Sequence, residues 1–175
     1  YREAVLEIAD TVDGPISVEV VSEETEAMIE EGWGISKWHP NVVVKLPSTR
    51  EGFQAMAQLS GEGVRINQTL CFSVNQALLG VQAGANYVSP FIGRLDDAGH
   101  DGMEIVNELV AIFKQYQITT EVMAASIRHP LHCVMAAKAG AHIATIPFKG
   151  LAQMAHHPLT DAGMARFTQD WEKAG

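Results

Sequence analysis

Six short aliphatic runs recur along this 175-residue chain, with helix-like stretches between them: Ile16–Val21, Val42–Leu46, Val64–Leu70, Tyr87–Pro90, Thr120–Ala125 and Ile143–Ile146. Several are apolar on both faces, which is how parallel strands read when helices cover the sheet. Such alternation restricts the chain to α/β architecture. Helix starts are marked between the runs. Ser22 precedes Glu23-Glu24-Thr25, Ser48 opens a Ser-x-x-Glu capping box that closes at Glu51, and Ser73 precedes Val74–Leu79. Helix stops repeat as well. Gly84 and Gly140 are each followed by a strand and a Pro-Phe pair, Pro90-Phe91 and Pro147-Phe148, at an interval that fits two βα units of about 28 residues. That spacing predicts a (β/α) barrel rather than a doubly wound sheet, whose glycine-rich dinucleotide fingerprint is missing. One domain is expected over residues 1–175, ending in a helical tail at His157–Gly175, and the opening Tyr1–Asp10 reads as helix.

Composition excludes several function classes. Twelve Lys+Arg stand against 21 Asp+Glu, with no basic cluster, so no nucleic-acid footprint is present. No apolar run reaches the roughly 18 residues of a membrane span, and no signal segment opens the chain. Cys71 and Cys133 lie far apart and outside any Cys-x-x-Cys, which points to a reducing, cytoplasmic setting.

The segment Asn41-Val42-Val43-Val44-Lys45-Leu46-Pro47 puts a lysine near the end of a buried aliphatic strand. Side chains alternate, so Val43, Lys45 and Pro47 share one face. Facing into a barrel, an amine relieved of its proton is a nucleophile toward carbonyls; the plainer reading is a lysine snorkelling out at the strand end. Neighbouring strands carry polar residues at the same end: Ser17 and Glu19, Asn67 and Thr69, then Tyr87, Ser89 and Phe91. A carboxylate and hydroxyls near a lysine are what imine chemistry needs, since water must leave to form the Schiff base and return to break it. Arg94, and Arg128 after Ser126, follow two such strands and suit a phosphate monoester. Arg94 has Asp96 and Asp97 beside it and can pair with them; Arg128 has fewer nearby carboxylates and is the stronger candidate. His129-x-x-His132 and His156-His157 lack the spacing of a helical zinc motif, so capping or solvated roles are expected and no metal site is assigned. Trp33 and Trp38 are expected to cover the far end of the barrel, and Met28, Met56 and Met135 to fill core.

At these residues the sequence resembles the transaldolase family, in the small-subunit branch that includes fructose-6-phosphate aldolases. The matching stretches are Ser17-Val18-Glu19-Val20, Val42–Pro47, Asn67–Ser73, Tyr87–Arg94, Ala124–Pro130 and His157–Asp161, in the family's order along the chain. The resemblance implies a (β/α)8 TIM barrel. It implies that Lys45 forms the Schiff base, that Glu19 and Thr69 hold and activate the catalytic water, and that Asn67 lines the site. Ser89 and Phe91 would contact substrate, and Arg94, Ser126 and Arg128 would bind phosphate. Transaldolases carry Glu and Phe where aldolase members carry Gln and Tyr; Glu19 and Phe91 stand at those positions, so the chain looks more like a transaldolase. Such an enzyme moves a dihydroxyacetone unit between sugar phosphates of the pentose phosphate pathway, with no cofactor and no metal. Fructose-6-phosphate aldolase is the nearest alternative.

Family members open with a Phe-x-Asp-Thr-Ala-like strand and a Thr-Thr-Asn-Pro-Ser strand, neither of which is matched. The expected fold is therefore a barrel lacking its first two strands, with about six βα units, and a third reading is an impaired piece that only assembles or binds sugar phosphate. The family commonly forms pentamers and decamers through the C-terminal helix. In this chain Met164, Phe167 and Trp171 give that helix an apolar spacing, so a homo-oligomer is expected.

Overall fold

The computed structural model describes residues 1–175. Helix α1 (Arg2–Thr11) leads into β1 (Ile16–Glu19), α2 (Thr25–Ser36), β2 (Val42–Pro47), α3 (Arg50–Gly61) and β3 (Ile66–Cys71). There follow α4 (Val74–Gln82), β4 (Tyr87–Pro90), α5 (Ile92–Asp97), α6 (Gly102–Tyr116), β5 (Glu121–Ala124) and α7 (Pro130–Ala139). The chain closes with β6 (Ile143–Ala144), α8 (Phe148–Met154) and α9 (Pro158–Ala174). All six strands are parallel, in the order β1-β2-β3-β4-β5-β6, so each strand pairs with its sequence neighbour and β1 and β6 form the edges. No helix is long and apolar enough to cross a membrane.

Strand order alone does not distinguish a flat sheet from a curved one; side-chain contacts do. In a flat sheet, strands two apart lie roughly 9.5 Å from each other. Asn67 on β3 nevertheless donates from Nδ2 to Ser17 Oγ on β1 at 2.9 Å and approaches Met123 Sδ on β5 at 3.8 Å. The sheet therefore curls toward that face, and the six strands form an arc of a (β/α) barrel.

Helices cover the outer face in two packed clusters. Val18, Val42, Val44, Leu46 and Ile66 point outward against Met28, Ile35, Ala55, Met56 and Leu59 of α2 and α3. Val88, Val122 and Ala124 meet Val106, Leu109, Phe113 and Ala136 of α6 and α7. Val43, on the opposite face from Val42 and Val44, is fully buried inside the arc, as period-2 alternation requires. Met28 and Met56 are buried core residues, and Met135 packs at the edge of the second cluster.

The helix ends show which local signals operate. Ser73 caps α4 by accepting from Gln76 N–H at 3.2 Å, as expected. Gly84 and Gly140 both adopt the left-handed conformation just past a helix, at φ 85° and 84°. Two expected caps are corrected. Thr49, not Ser48, caps α3 by accepting from Gly52 N–H, because the Ser48 hydroxyl is turned inward to donate to the Thr69 carbonyl at 2.7 Å. Ser22 does not cap α2, whose N-cap is Glu24; its N–H and that of Val21 donate instead to the Glu31 carboxylate. That capture also ends β1 at Glu19 rather than Val21. Burial would raise the Glu31 carboxyl, but the hydrogen bonds from Ser22 and Val21 outweigh it and hold the group below its ordinary range. Strand β6 is two residues long rather than four, since Pro147 turns the chain into α8. Trp33 bridges α2 to the end of α3 through Nε1 and Glu62 at 2.6 Å, and Trp38 lies at the amino end of β2.

Candidate active site

Parallel pairing sets the site's lateral order. Glu19 is in register with Lys45, and Lys45 with Asn67, so three polar residues from adjacent strands lie side by side on the concave face. Lys45 Nζ is 2.9 Å from Glu19 Oε2, with the lysine side chain 23% exposed. An inward ammonium beside the buried Val43 needs a counter-charge, and the edge strand supplies it. Deeper in the arc the polar groups satisfy one another. Asn67 donates to Ser17 and accepts from the Ser89 hydroxyl at 2.7 Å.

These residues line one cavity of about 490 Å³. Its walls include Glu19, Lys45, Asn67, Ser89, Phe91, Arg94, Ser126 and Arg128, which are eight of the nine residues singled out from sequence. The ninth, Thr69, is fully buried outside this lining, and its hydroxyl has no hydrogen-bond partner in the protein. Strand β3 is irregular there: its register with β4 shifts between Gln68 and Cys71, and Leu70 takes a left-handed φ of 52°. Tyr1, Ser17, Met123 and Thr145 also line the cavity. Alternation on β5 and past β6 was the signal that could have found Met123 and Thr145.

Phe91 lies near two cations. Lys45 Nζ lies 5.8 Å from its ring centroid and Arg94 Cζ lies 5.1 Å away, while Phe72 packs edge-on against it. The two arginines differ from expectation. Arg128 donates to Asp97 Oδ2 at 2.7 Å, whereas Asp96 bonds His132 and the Gly102 N–H, leaving Arg94 on the aromatic ring. The carboxylate partner expected for Arg94 thus belongs to Arg128, because the curl brings α5 against the loop after β5. Gly93 makes that approach possible. Its N–H donates to the Ser126 carbonyl at 3.1 Å, and a Cβ there would collide with that oxygen and with the Arg128 side chain. Ser126 itself is left-handed, at φ 58°.

The histidines serve as caps and contacts. His157 caps α9, His39 and His142 accept backbone N–H groups, and His129 stacks on His132 with ring centroids 3.8 Å apart. Burial pushes the Cys71 thiol up to about 12, which leaves it a poor nucleophile. Burial, followed by the charge of His129, pushes His132 below its ordinary range despite Asp96 beside it. His132 is therefore neutral when folded, and the unfolded chain binds the extra proton. Its contribution to stability is fully present above about pH 6.5 and is lost as pH falls through the folded value. Urea midpoints at about pH 7.5 and pH 5.5 should accordingly fall less in His132→Phe than in the parent, and an equal or larger fall in the variant would contradict this assignment.

A family model described as Transaldolase/Fructose-6-phosphate aldolase matches residues 2–175. A protein called probable transaldolase from Dehalococcoides mccartyi is 57% identical over 173 residues, covering 98% of this chain and 80% of its own length. Another of that name, from Thermoanaerobacter sp., is 56% identical over 175 residues, covering all of this chain and 81% of its own length. A third, from Heliobacterium modesticaldum, is 58% identical over 172 residues, at 98% and 80% coverage.

Proposed function

The chain belongs to the transaldolase/fructose-6-phosphate aldolase family, and from that membership we propose that it transfers a dihydroxyacetone unit from a ketose phosphate to an aldose phosphate through a Schiff base on Lys45. The observation that supports this reading is the Lys45–Glu19 contact in a cavity whose rim carries Arg94, Ser126 and Arg128. An amine and two arginines on the lining of one concavity suit a phosphorylated ketose such as fructose 6-phosphate or sedoheptulose 7-phosphate.

In the proposed reaction Glu19, in contact with Nζ, takes the proton that Lys45 must lose before it attacks the C2 carbonyl. The carbinolamine loses water to give a protonated imine. Glu19, whose proton leaves with that water, takes the proton of the C4 hydroxyl as the C3–C4 bond breaks; the imine accepts the released electron pair, and an aldose phosphate leaves. The enamine left on Lys45 adds to the carbonyl of a second aldose phosphate as Glu19 returns the proton to the new hydroxyl, and water then frees the product. Asn67 and Ser89, already locked to each other, offer hydrogen bonds to substrate hydroxyls from a fixed position. The Thr69 hydroxyl has no protein partner but is buried outside the cavity lining, so in this reading Glu19 alone faces the water that leaves and returns. Lysine supplies the electron sink, so the sequence of steps calls on no cofactor. Two buried, unpaired thiols accord with work in a reducing cytoplasm.

With fructose 6-phosphate as donor, turnover should require an acceptor such as erythrose 4-phosphate. Glu19→Gln should lower kcat by about 10²–10⁴-fold while leaving a folded protein. Release of free dihydroxyacetone without an acceptor would favour the aldolase reading, and full activity in Glu19→Gln would remove Glu19 from the chemistry.

The same family membership supports a homo-oligomer, pentamer or decamer. Helix α9 buries none of its residues, and Met164, Phe167 and Trp171 are 61%, 69% and 82% exposed. Docking on a neighbouring copy would cover that stripe. Light scattering should give a mass of several chains, and a monomer would contradict the proposal.

A further inference from the structure

A pair of polar residues between the two arginine-bearing segments, the buried His132 and the exposed Asp96, takes no part in the chemistry above. His132, 4% exposed, sits at the start of α7. Its hydrogen bonds select one tautomer. The Arg128 N–H donates to Nδ1 at 3.3 Å, so Nδ1 is unprotonated, and Nε2–H donates to Asp96 Oδ2 at 2.9 Å. The other oxygen of Asp96 accepts from the Gly102 N–H at 2.8 Å, which ties the same carboxylate to the start of α6. Asp96 lies on α5, two residues after Arg94. The helix that carries one arginine is therefore joined, through a carboxylate and an imidazole, to the backbone of the other. Gly93, against the Ser126 carbonyl, is a second join between the same two segments.

We propose that His132 and Asp96 are positioning residues for the phosphate end of the site: the imidazole bridges the Arg94-bearing helix to the Arg128 backbone and fixes the spacing of Arg94, Ser126 and Arg128 to that of one phosphate monoester. This rests on the reading of those three residues as the phosphate-binding set. Neither His132 nor Asp96 need touch the ligand. Their effect is to remove the freedom of two loops before it binds, so that binding does not have to order them. The Arg128–Asp97 pair, 50% and 63% exposed, is weak enough for an incoming dianion to displace the single carboxylate charge.

Titration calorimetry with inorganic phosphate tests the bridge without using Lys45. The parent should bind phosphate at one site per chain. His132→Phe, which keeps a planar ring and loses both hydrogen bonds, and Asp96→Asn, a nearly isosteric change on a less buried residue, should each weaken binding about tenfold. His132→Asn, whose amide oxygen can accept from the Arg128 N–H but whose side chain is too short to reach Asp96, leaves the bridge cut and should bind as weakly as His132→Phe, and His132→Asn combined with Asp96→Asn should lose no more than either alone. A parent that binds no phosphate, variants that bind as the parent does, or additive losses in the double variant would each overturn the bridge. If His132→Phe does not fold, Asp96→Asn carries the same test. A protein that binds phosphate yet transfers no sugar unit would sink the Lys45 mechanism and leave the bridge standing. A protein that transfers while both variants bind phosphate normally would do the reverse.

Discussion

The register of three parallel strands fixes the chemistry of the concave face. Glu19, Lys45 and Asn67 are lateral neighbours because β1 pairs with β2, and β2 with β3, without an offset between them. A one-residue slip of β2 would send Lys45 into the outer aliphatic layer and bring Val44 or Leu46 into the arc, exposing the whole outward set. The packing of Val42, Val44 and Leu46 under α2 and α3 is thus what holds the lysine inward. Once it is inward, its charge requires Glu19. The ladder Ser17–Asn67–Ser89 then leaves no unpaired amide beside it. Hydrophobic packing outside and polar satisfaction inside fix the same register.

Curvature does for the other end of the site what register does for Lys45. Bending the sheet moves α5 against the loop after β5, close enough that only glycine fits at position 93. Arg94, Ser126 and Arg128 come from two segments about thirty residues apart, yet they share one cavity wall with the lysine. The amine end is carried by strands, and the arginine end by short connections stitched to each other by Asp96, Asp97 and His132. This division gives Lys45 a rigid floor of strands and the arginines a separately held rim.

Much of this was legible in the residues, and the parts that were not share a cause. Period-2 alternation sufficed to place Val43 and Lys45 on one face and to collect Asn67, Ser89 and Phe91 with them, because strand geometry leaves no other choice. Gly84 and Gly140 were readable for a similar reason, since the left-handed turn past a helix is encoded at one position. The partner of Arg128 was not readable: Asp97 is 31 residues away, and only the curl brings them together. Ser48 looked like the better cap until the demand of the Thr69 carbonyl was visible, leaving Thr49 to cap α3. Val20 and Val21 looked like strand until the Glu31 carboxylate claimed the Val21 N–H. Thr69 stands where β3 loses its regular register, so alternation stops being a guide one residue before Leu70. Local periodicity encodes faces, whereas ion pairs and captured backbone groups depend on which loops the fold brings into contact.

The proposed mechanism requires that Lys45, and not another amine, form the covalent bond to substrate. Borohydride reduction of the protein incubated with fructose 6-phosphate, followed by peptide mass mapping, reads this directly. The expected product is a reduced three-carbon dihydroxyacetone adduct on Lys45 alone, absent in Lys45→Ala. A label on any other residue, or an unmodified Lys45 in protein that turns over, would contradict it.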